Sequence, residues 1–377
     1  MHRRIVFGFT AWLLLGQLIW GVPYFARKYN LRCVSCHTHP PNLNQFGQDF
    51  FARGYRMQEG TVAAHKTIPV AVWASQRLEY KDPLDLTKSF PNRIELISGG
   101  EITDKISYFA EWRALSFETT ASGTLRDRSG RFEDLFLVFR LDDTFSVTAG
   151  QFRMLSQWDA SRRLSLSTPL AFSAGIGGEP ARSSRIGSLR SFSLEGRAPA
   201  LRLTAVINRG AHPADGWYHE FTVPFAGEFS APLTDEARST ASFELEARPK
   251  GLLYETYYRV GLNSLGGSFF AGDDRWMGNL TGQREIGRHQ IYASLGTARF
   301  RSDLQDFRLS VGDYYFPRNW LALGARLDHR SADRQGPAFV PHVNFHFPGE
   351  QYTFMLVVEP FLQKNNSGVA VELSAVF

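Results

Sequence analysis

From about residue 67 onward the chain is written in segments of about ten residues in which apolar and polar positions alternate. A period of two marks strands, whose successive side chains point to opposite faces. Leu201, Leu203, Ala205 and Ile207 share one face, with Arg202, Thr204, Val206 and Asn208 on the other. Phe243, Leu245 and Ala247 oppose Ser242, Glu244, Glu246 and Arg248 in the same way. Further on, His342, Asn344 and His346 stand against Val343, Phe345 and Phe347. The pattern predicts sixteen strands, near 68–80, 92–102, 105–117, 131–141, 144–153, 187–197, 200–210, 238–248, 251–262, 274–284, 288–299, 306–315, 319–329, 337–347, 350–361 and 367–377. Short turns are expected at Thr103-Asp104, Asp142-Asp143, Ala198-Pro199, Pro249-Lys250, Ile286-Gly287, Pro317-Arg318 and Pro348-Gly349. Longer links, including 154–186 and 211–236, fall between them.

A soluble sandwich also alternates, but it turns its polar face to water. Here the strands are long enough to cross a tilted bilayer. Their polar faces carry both signs of charge at mid-strand, as in Glu111 with Arg113 and Glu255 with Arg259, which suits a wet lumen. Tyr254, Tyr257, Tyr258, Tyr314, Tyr315 and Trp320 cluster at strand ends, where interface girdles lie. The expected fold is therefore all-β: a 16-stranded antiparallel transmembrane β-barrel over 67–377, preceded by a small helical segment. An even count of strands with short turns on one side puts both termini in the periplasm. The link 154–186 is long enough to fold inward and narrow the pore. The final strand closes on Phe377, which resembles the C-terminal signature of bacterial outer-membrane barrels.

Ahead of the strands, Met1-His2-Arg3-Arg4 leads into an apolar run from Ile5 to Val22. Basic residues before a short apolar stretch form a secretory leader, expected to end near Ala26 and to occupy 1–26. Removing it leaves 40 basic against 37 acidic residues. That balance, with no basic cluster, argues against a nucleic-acid partner. Lipid of the bacterial outer membrane is the expected surround.

Both cysteines of the chain lie in Cys33-Val34-Ser35-Cys36-His37. Cys-x-x-Cys-His is the attachment pattern of c-type haem, with two thiols for the vinyl groups and the histidine for the iron. A thioredoxin-like pair needs a βαβ context, and none is legible. A zinc site needs further ligands, and no second cysteine pair exists. A disulfide closing so short a loop stabilises little. Cys33, Cys36 and His37 are thus the candidate ligands of one covalent haem. Leu43, Phe46 and Phe50 share one face of a helix expected to begin at Asn42 and stop at Gly54. Met57 is the candidate distal ligand and His65 its rival, while His39 lies close to the motif. A 27–66 segment of this size seldom folds alone, so it is expected to dock against, or plug, the barrel mouth or lumen.

With Pro41-x-Leu43-Asn44-x-Phe46-Gly47 and Gly54-Tyr55 following the motif, residues 27–57 resemble the fused monohaem cytochrome–porins of the outer membrane, best known from iron-oxidising bacteria. The barrel matches that plan by architecture only. The resemblance implies extracellular electron transfer between a donor such as Fe(II) and a periplasmic cytochrome, an iron:cytochrome c oxidoreductase activity. Asp273 with Asp274, or Asp235 with Glu236, are loop carboxylates that would attract Fe(II), or ordinary solvated charge. The alternatives are a porin-like channel whose haem segment is a plug or redox gate, and electron flow in the reverse direction.

Overall fold

The computed structural model describes residues 24–40, 42–57, 69–82, 86–119, 125–155, 164–167, 197–230, 242–249, 251–272, 275–300, 305–331, 336–349, 352–364 and 366–376. Sixteen antiparallel strands close into one barrel. They are β1 Ala71–Asp82, β2 Leu86–Glu101, β3 Ile106–Thr119, β4 Leu125–Asp127 with Arg131–Arg140, β5 Phe145–Arg153, β6 Arg197–Ile207, β7 Gly216–Ser230 and β8 Ser242–Pro249 with Gly251–Val260. The second half runs β9 Asn263–Gly272, β10 Arg275–Ile286, β11 His289–Phe300, β12 Gln305–Arg318, β13 Leu321–Arg330, β14 Ala338–Pro348, β15 Thr353–Gln363 and β16 Asn366–Val376. The last strand pairs with the first, Val376 opposite Trp73 and Ser367 opposite Asp82, so no sheet edge is left.

Two of these strands are interrupted. The two halves of β8 pair along the single strand β7, Gly216 opposite Arg259 and Phe225 opposite Pro249. Those of β4 pair along β3, Phe117 opposite Asp127 and Ile106 opposite Phe139.

The alternation is realised with apolar residues outward. Leu201 and Leu203 are 49% and 42% exposed, whereas Arg202 between them is 8% exposed. On β14, Phe339 and Phe347 face out while His342, Asn344 and His346 are buried inside. A soluble fold inverts this arrangement; a barrel in lipid requires it.

The count of sixteen holds, but four assignments along the chain change. The expected strand at 187–197 lies outside the described residues except for Arg197. The expected turn at Ala198-Pro199 is instead inside β6, where Pro199 pairs with Gln151. The link 211–236 contains β7, and 263–272 is β9 rather than a connection. Of the expected turn at Pro249-Lys250, Pro249 ends the first part of β8 and Lys250 lies outside the described residues. The girdle is also redistributed. Tyr257 and Tyr314 are buried in the lumen, each 2% exposed, whereas Tyr258 and Trp320 stay outside.

The described parts of the long link after β5 fold inward. Leu155 and Leu164 are buried in an apolar patch with Phe152, Leu253 and Phe270. The backbone N–H groups of Leu166 and Ser167 donate to the Glu359 carboxylate at 2.7 and 2.8 Å. Arg326 reaches the same loop through Ser165 and Ser167 while paired with Asp328 at 2.8 Å. The described residues of this link thereby sit against the inner wall of the barrel.

Candidate functional site

The residues before the barrel form three short helices, α1 Tyr24–Tyr29, α2 Cys33–Cys36 and α3 Gln45–Ala52. A two-strand hairpin pairs His37–His39 with Asn42–Leu43. Asn44, rather than Asn42, caps α3: its Oδ1 accepts the Gly47 N–H at 3.0 Å. Its Nδ2 donates to the carbonyls of Val34 and Ser35 at 3.2 and 3.0 Å. One side chain therefore starts the helix and anchors the cysteine turn to it. Gly47 completes the contact, since a Cβ there would stand 2.2 Å from the Cys36 carbonyl oxygen. The Leu-Asn-x-Phe-Gly spacing of residues 43–47 thus has a mechanical reading in this chain. Gly54 follows α3 in the left-handed region, as expected of a stop.

This segment occupies the barrel mouth on the side of the short turns. Asn42 donates to Gln290 at 2.8 Å, and Asp49 accepts from the Ala214 N–H at 3.2 Å and contacts His212 at 3.1 Å. Tyr29 donates to Glu101 at 3.1 Å, and Arg56 donates to the Thr103 carbonyl. Phe25 stacks on Tyr55 at 5.3 Å, and Tyr55 on Phe109 of the wall at 5.2 Å. Gly99 leaves room for Phe25, whose ring would be 2.9 Å from an added Cβ. The docked unit therefore begins upstream of the leader boundary expected near Ala26.

Cys33, Cys36 and His37 open onto a cavity of about 810 Å³ that continues into the lumen. The two thiols are not bonded to each other. Burial, and then the neighbouring Cys33, push the Cys36 thiol up to about 11. Leu43, Phe50, Phe109 and Phe136 supply apolar cavity wall. Across it, Arg77 donates to Glu372 at 2.8 Å and Arg113 to Glu95 at 2.9 Å, and Arg197 pairs with Asp134 at 2.9 Å. Among the described lining residues, thirteen are Arg or Lys and six are Asp or Glu. The excess lies at the mouth, with Arg32, Arg53, Arg56, Lys105, Arg140 and Arg209 against Asp142, while on the barrel wall the arginines are matched by buried carboxylates such as Glu95, Glu220, Glu255, Glu359 and Glu372. Glu95, Glu111 and Glu133 bring carboxylate oxygens within 4.8 Å of one another, embraced by these arginines.

Two thiols and an imidazole on one turn, facing an apolar wall, fit the donor set of a c-type haem. Phe50 is buried beside this wall, but Phe46 is 40% exposed and lies off the cavity. Met57 packs against Tyr29, Phe50 and Tyr55 rather than lining the cavity. His65 and both acidic loop pairs, Asp273 with Asp274 and Asp235 with Glu236, lie outside the described residues. His39 is buried against Phe316 and His346 of the wall, with ring centres at 5.3 and 5.6 Å. The sequence pattern singled out His342 and His346 only as inward positions; their encounter with His39 comes from the docking.

The barrel is similar to solved outer-membrane channels. The anion-selective porin of Comamonas acidovorans superposes with a TM-score of 0.50 at 11% identity, over 81% of this chain and 98% of that one. The DcaP channel of Acinetobacter baumannii gives 0.47 at 11% identity, over 82% and 96%. A loop-deleted OmpT of Vibrio cholerae gives 0.45 at 10% identity, over 82% and 98%. No protein-family profile and no curated protein matches the chain. At these identities the likeness is one of fold: a sixteen-stranded barrel of the outer-membrane porin type.

Proposed function

We propose that this chain is a porin-type channel of the bacterial outer membrane, closed at its periplasmic mouth by an N-terminal segment that carries one covalent c-type haem. The segment acts as plug or redox gate. The observation that carries this reading is the shared cavity: the Cys33, Cys36 and His37 side chains line the same space as the lumenal arginines. The apolar outer face suits lipid, and short turns at the plugged rim suit a periplasmic mouth. Cys33 and Cys36 hold the haem and His37 its iron. Bound there, the group supplies a one-electron couple. The chain's own residues set its surroundings. Asn44 and Gly47 hold the cysteine turn, Phe50 and Phe109 exclude water, and the arginines favour anionic groups. The Comamonas porin is described as anion-selective, and the basic excess around the shared cavity at the mouth supports the same preference here.

Liposome swelling tests the plug. Vesicles holding the full chain are expected to admit small sugars slowly, and faster once Asp49→Ala and Glu101→Ala weaken the docking. Wild-type vesicles that swell as fast as those of an open porin would refute it. The haem is read separately, by the pyridine haemochrome band of outer-membrane fractions.

The cysteine motif facing the lumen favours a second reading, electron exchange between an extracellular donor and a periplasmic cytochrome. Reduction of the purified protein by Fe(II) no faster than in buffer alone excludes it.

A further inference from the structure

The docking brings together two histidines that nothing above uses. His39 of the plug and His346 of β14 are each 1% exposed, with ring centres 5.6 Å apart and planes tilted by 56°. The His39 Nδ1 lies 2.9 Å from the Thr38 carbonyl, so it carries the proton and donates. That leaves the His39 Nε2 with its lone pair, and it has no hydrogen-bond partner among the described residues. Neither ring nitrogen of His346 meets a partner at hydrogen-bond distance and angle, although the Asn319 backbone lies close to the ring. Burying polar atoms without partners is unfavourable. A backbone carbonyl that fixes Nδ1–H and presents Nε2 is the usual outer support of a metal-ligating histidine.

The spacing agrees with that role. A metal–nitrogen bond of about 2.0 Å, with about 1.2 Å more to the ring centre, puts each centre about 3.2 Å from the ion. Two such rings at a tetrahedral angle stand about 5.2 Å apart, and at about 120° they stand about 5.5 Å apart. Met355 is the direct ladder partner of His346, so it shares the inward face, and it is 6% exposed. A thioether beside two imidazoles suits a soft-to-borderline ion.

We propose that His39 and His346 bind one copper ion, with Met355 beside them, and that this ion clasps the plug to the barrel wall. Copper heads the affinity order for nitrogen ligands and tolerates thioether donation. The thiols of Cys33 and Cys36 are not among its ligands, although Met355 lines the same cavity as they do and His39 follows the haem-iron candidate His37 by two residues.

The test uses the full chain in detergent, haem-loaded or with free thiols alkylated, and copper salt as the probe. Wild-type protein is expected to keep one copper per chain through desalting. Its Cu(II) electron paramagnetic resonance spectrum should show coupling to two nitrogens. His39→Gln and His346→Gln should each weaken retention at least tenfold, and Met355→Leu should weaken it less. Heat-modifiable migration on gels confirms that each variant barrel is folded. Three results overturn the proposal: no copper held by wild type, a spectrum lacking nitrogen coupling, or undiminished retention in the His39→Gln/His346→Gln double variant. A shift of the haem bands in these variants with copper retention unchanged also overturns it, because the histidines would then serve the haem iron. The haemochrome band and copper retention are independent readouts, so failure of one reading is distinguishable from failure of the other.

Discussion

Asn44→Ala removes three hydrogen bonds from the joint between the cysteine turn and α3. Loss of an N-cap costs typically about 1 kcal/mol. The bonds to the Val34 and Ser35 carbonyls each contribute about 0.5–1.5 kcal/mol, with the exposed Val34 bond at the low end. The sum, about 2 kcal/mol, corresponds to roughly a 30-fold rise in local opening. Asn44→Asp keeps the Oδ1 acceptor and loses only the donors, so it should cost about 1 kcal/mol, roughly fivefold. Hydrogen exchange of peptides spanning residues 42–52 measures this opening directly. The expected order of exchange rates is wild type, then Asn44→Asp, then Asn44→Ala. If Asn44→Ala exchanges like wild type, the joint does not depend on this side chain. If Asn44→Asp matches Asn44→Ala, the capping bond contributes nothing.

Gly47→Ala drives a methyl into the Cys36 carbonyl; overpacking of this kind costs about 1–3 kcal/mol, and the same peptides should exchange faster. Arg326→Ala removes the guanidinium paired with the buried Asp328 carboxylate and its hydrogen bonds to Ser165 and Ser167. A loss of about 3 kcal/mol is expected at that contact, seen as protease cleavage near residues 164–167 and as a larger single-channel conductance. Because Phe25 is stacked on Tyr55 and seated over Gly99, the mature chain is expected to retain Phe25. Intact mass of the outer-membrane protein checks this, and a chain beginning after Ala26 would contradict it.

The barrel was legible because lipid on one side and a charged lumen on the other force a strict period of two, as along Leu201–Ile207. Strand positions were less so where proline and glycine break the pattern for reasons outside their own strand. Pro199 and Pro249 look like turn residues but lie within or beside barrel strands. The stretch Ser264–Gly267 looks like a turn too, yet it is strand. A Cβ on Gly266 would stand 2.2 Å from the Tyr257 Cβ and 2.3 Å from the Thr256 carbonyl oxygen on the neighbouring strand, so the glycine belongs to the neighbour's packing. The expected strand at 187–197 contributes only Arg197 to β6, two expected strands merge into β8, and β7 and β9 are added, so the total is unchanged. At the site, the cysteine motif and its adjoining glycine were readable because their spacing is local. The meeting of His39 with His346 spans 307 positions of chain, and no local pattern announces it.

Docking also has a consequence for the order of assembly. Cys33 is 7% exposed once the segment is seated inside the mouth. An enzyme of ordinary size cannot reach a sulfur there. Any group bonded to that thiol must be attached before the segment seats in the mouth. Maturation of the motif and seating of the plug are therefore successive events, and a cell that delays the first should accumulate plugged, unmodified barrels.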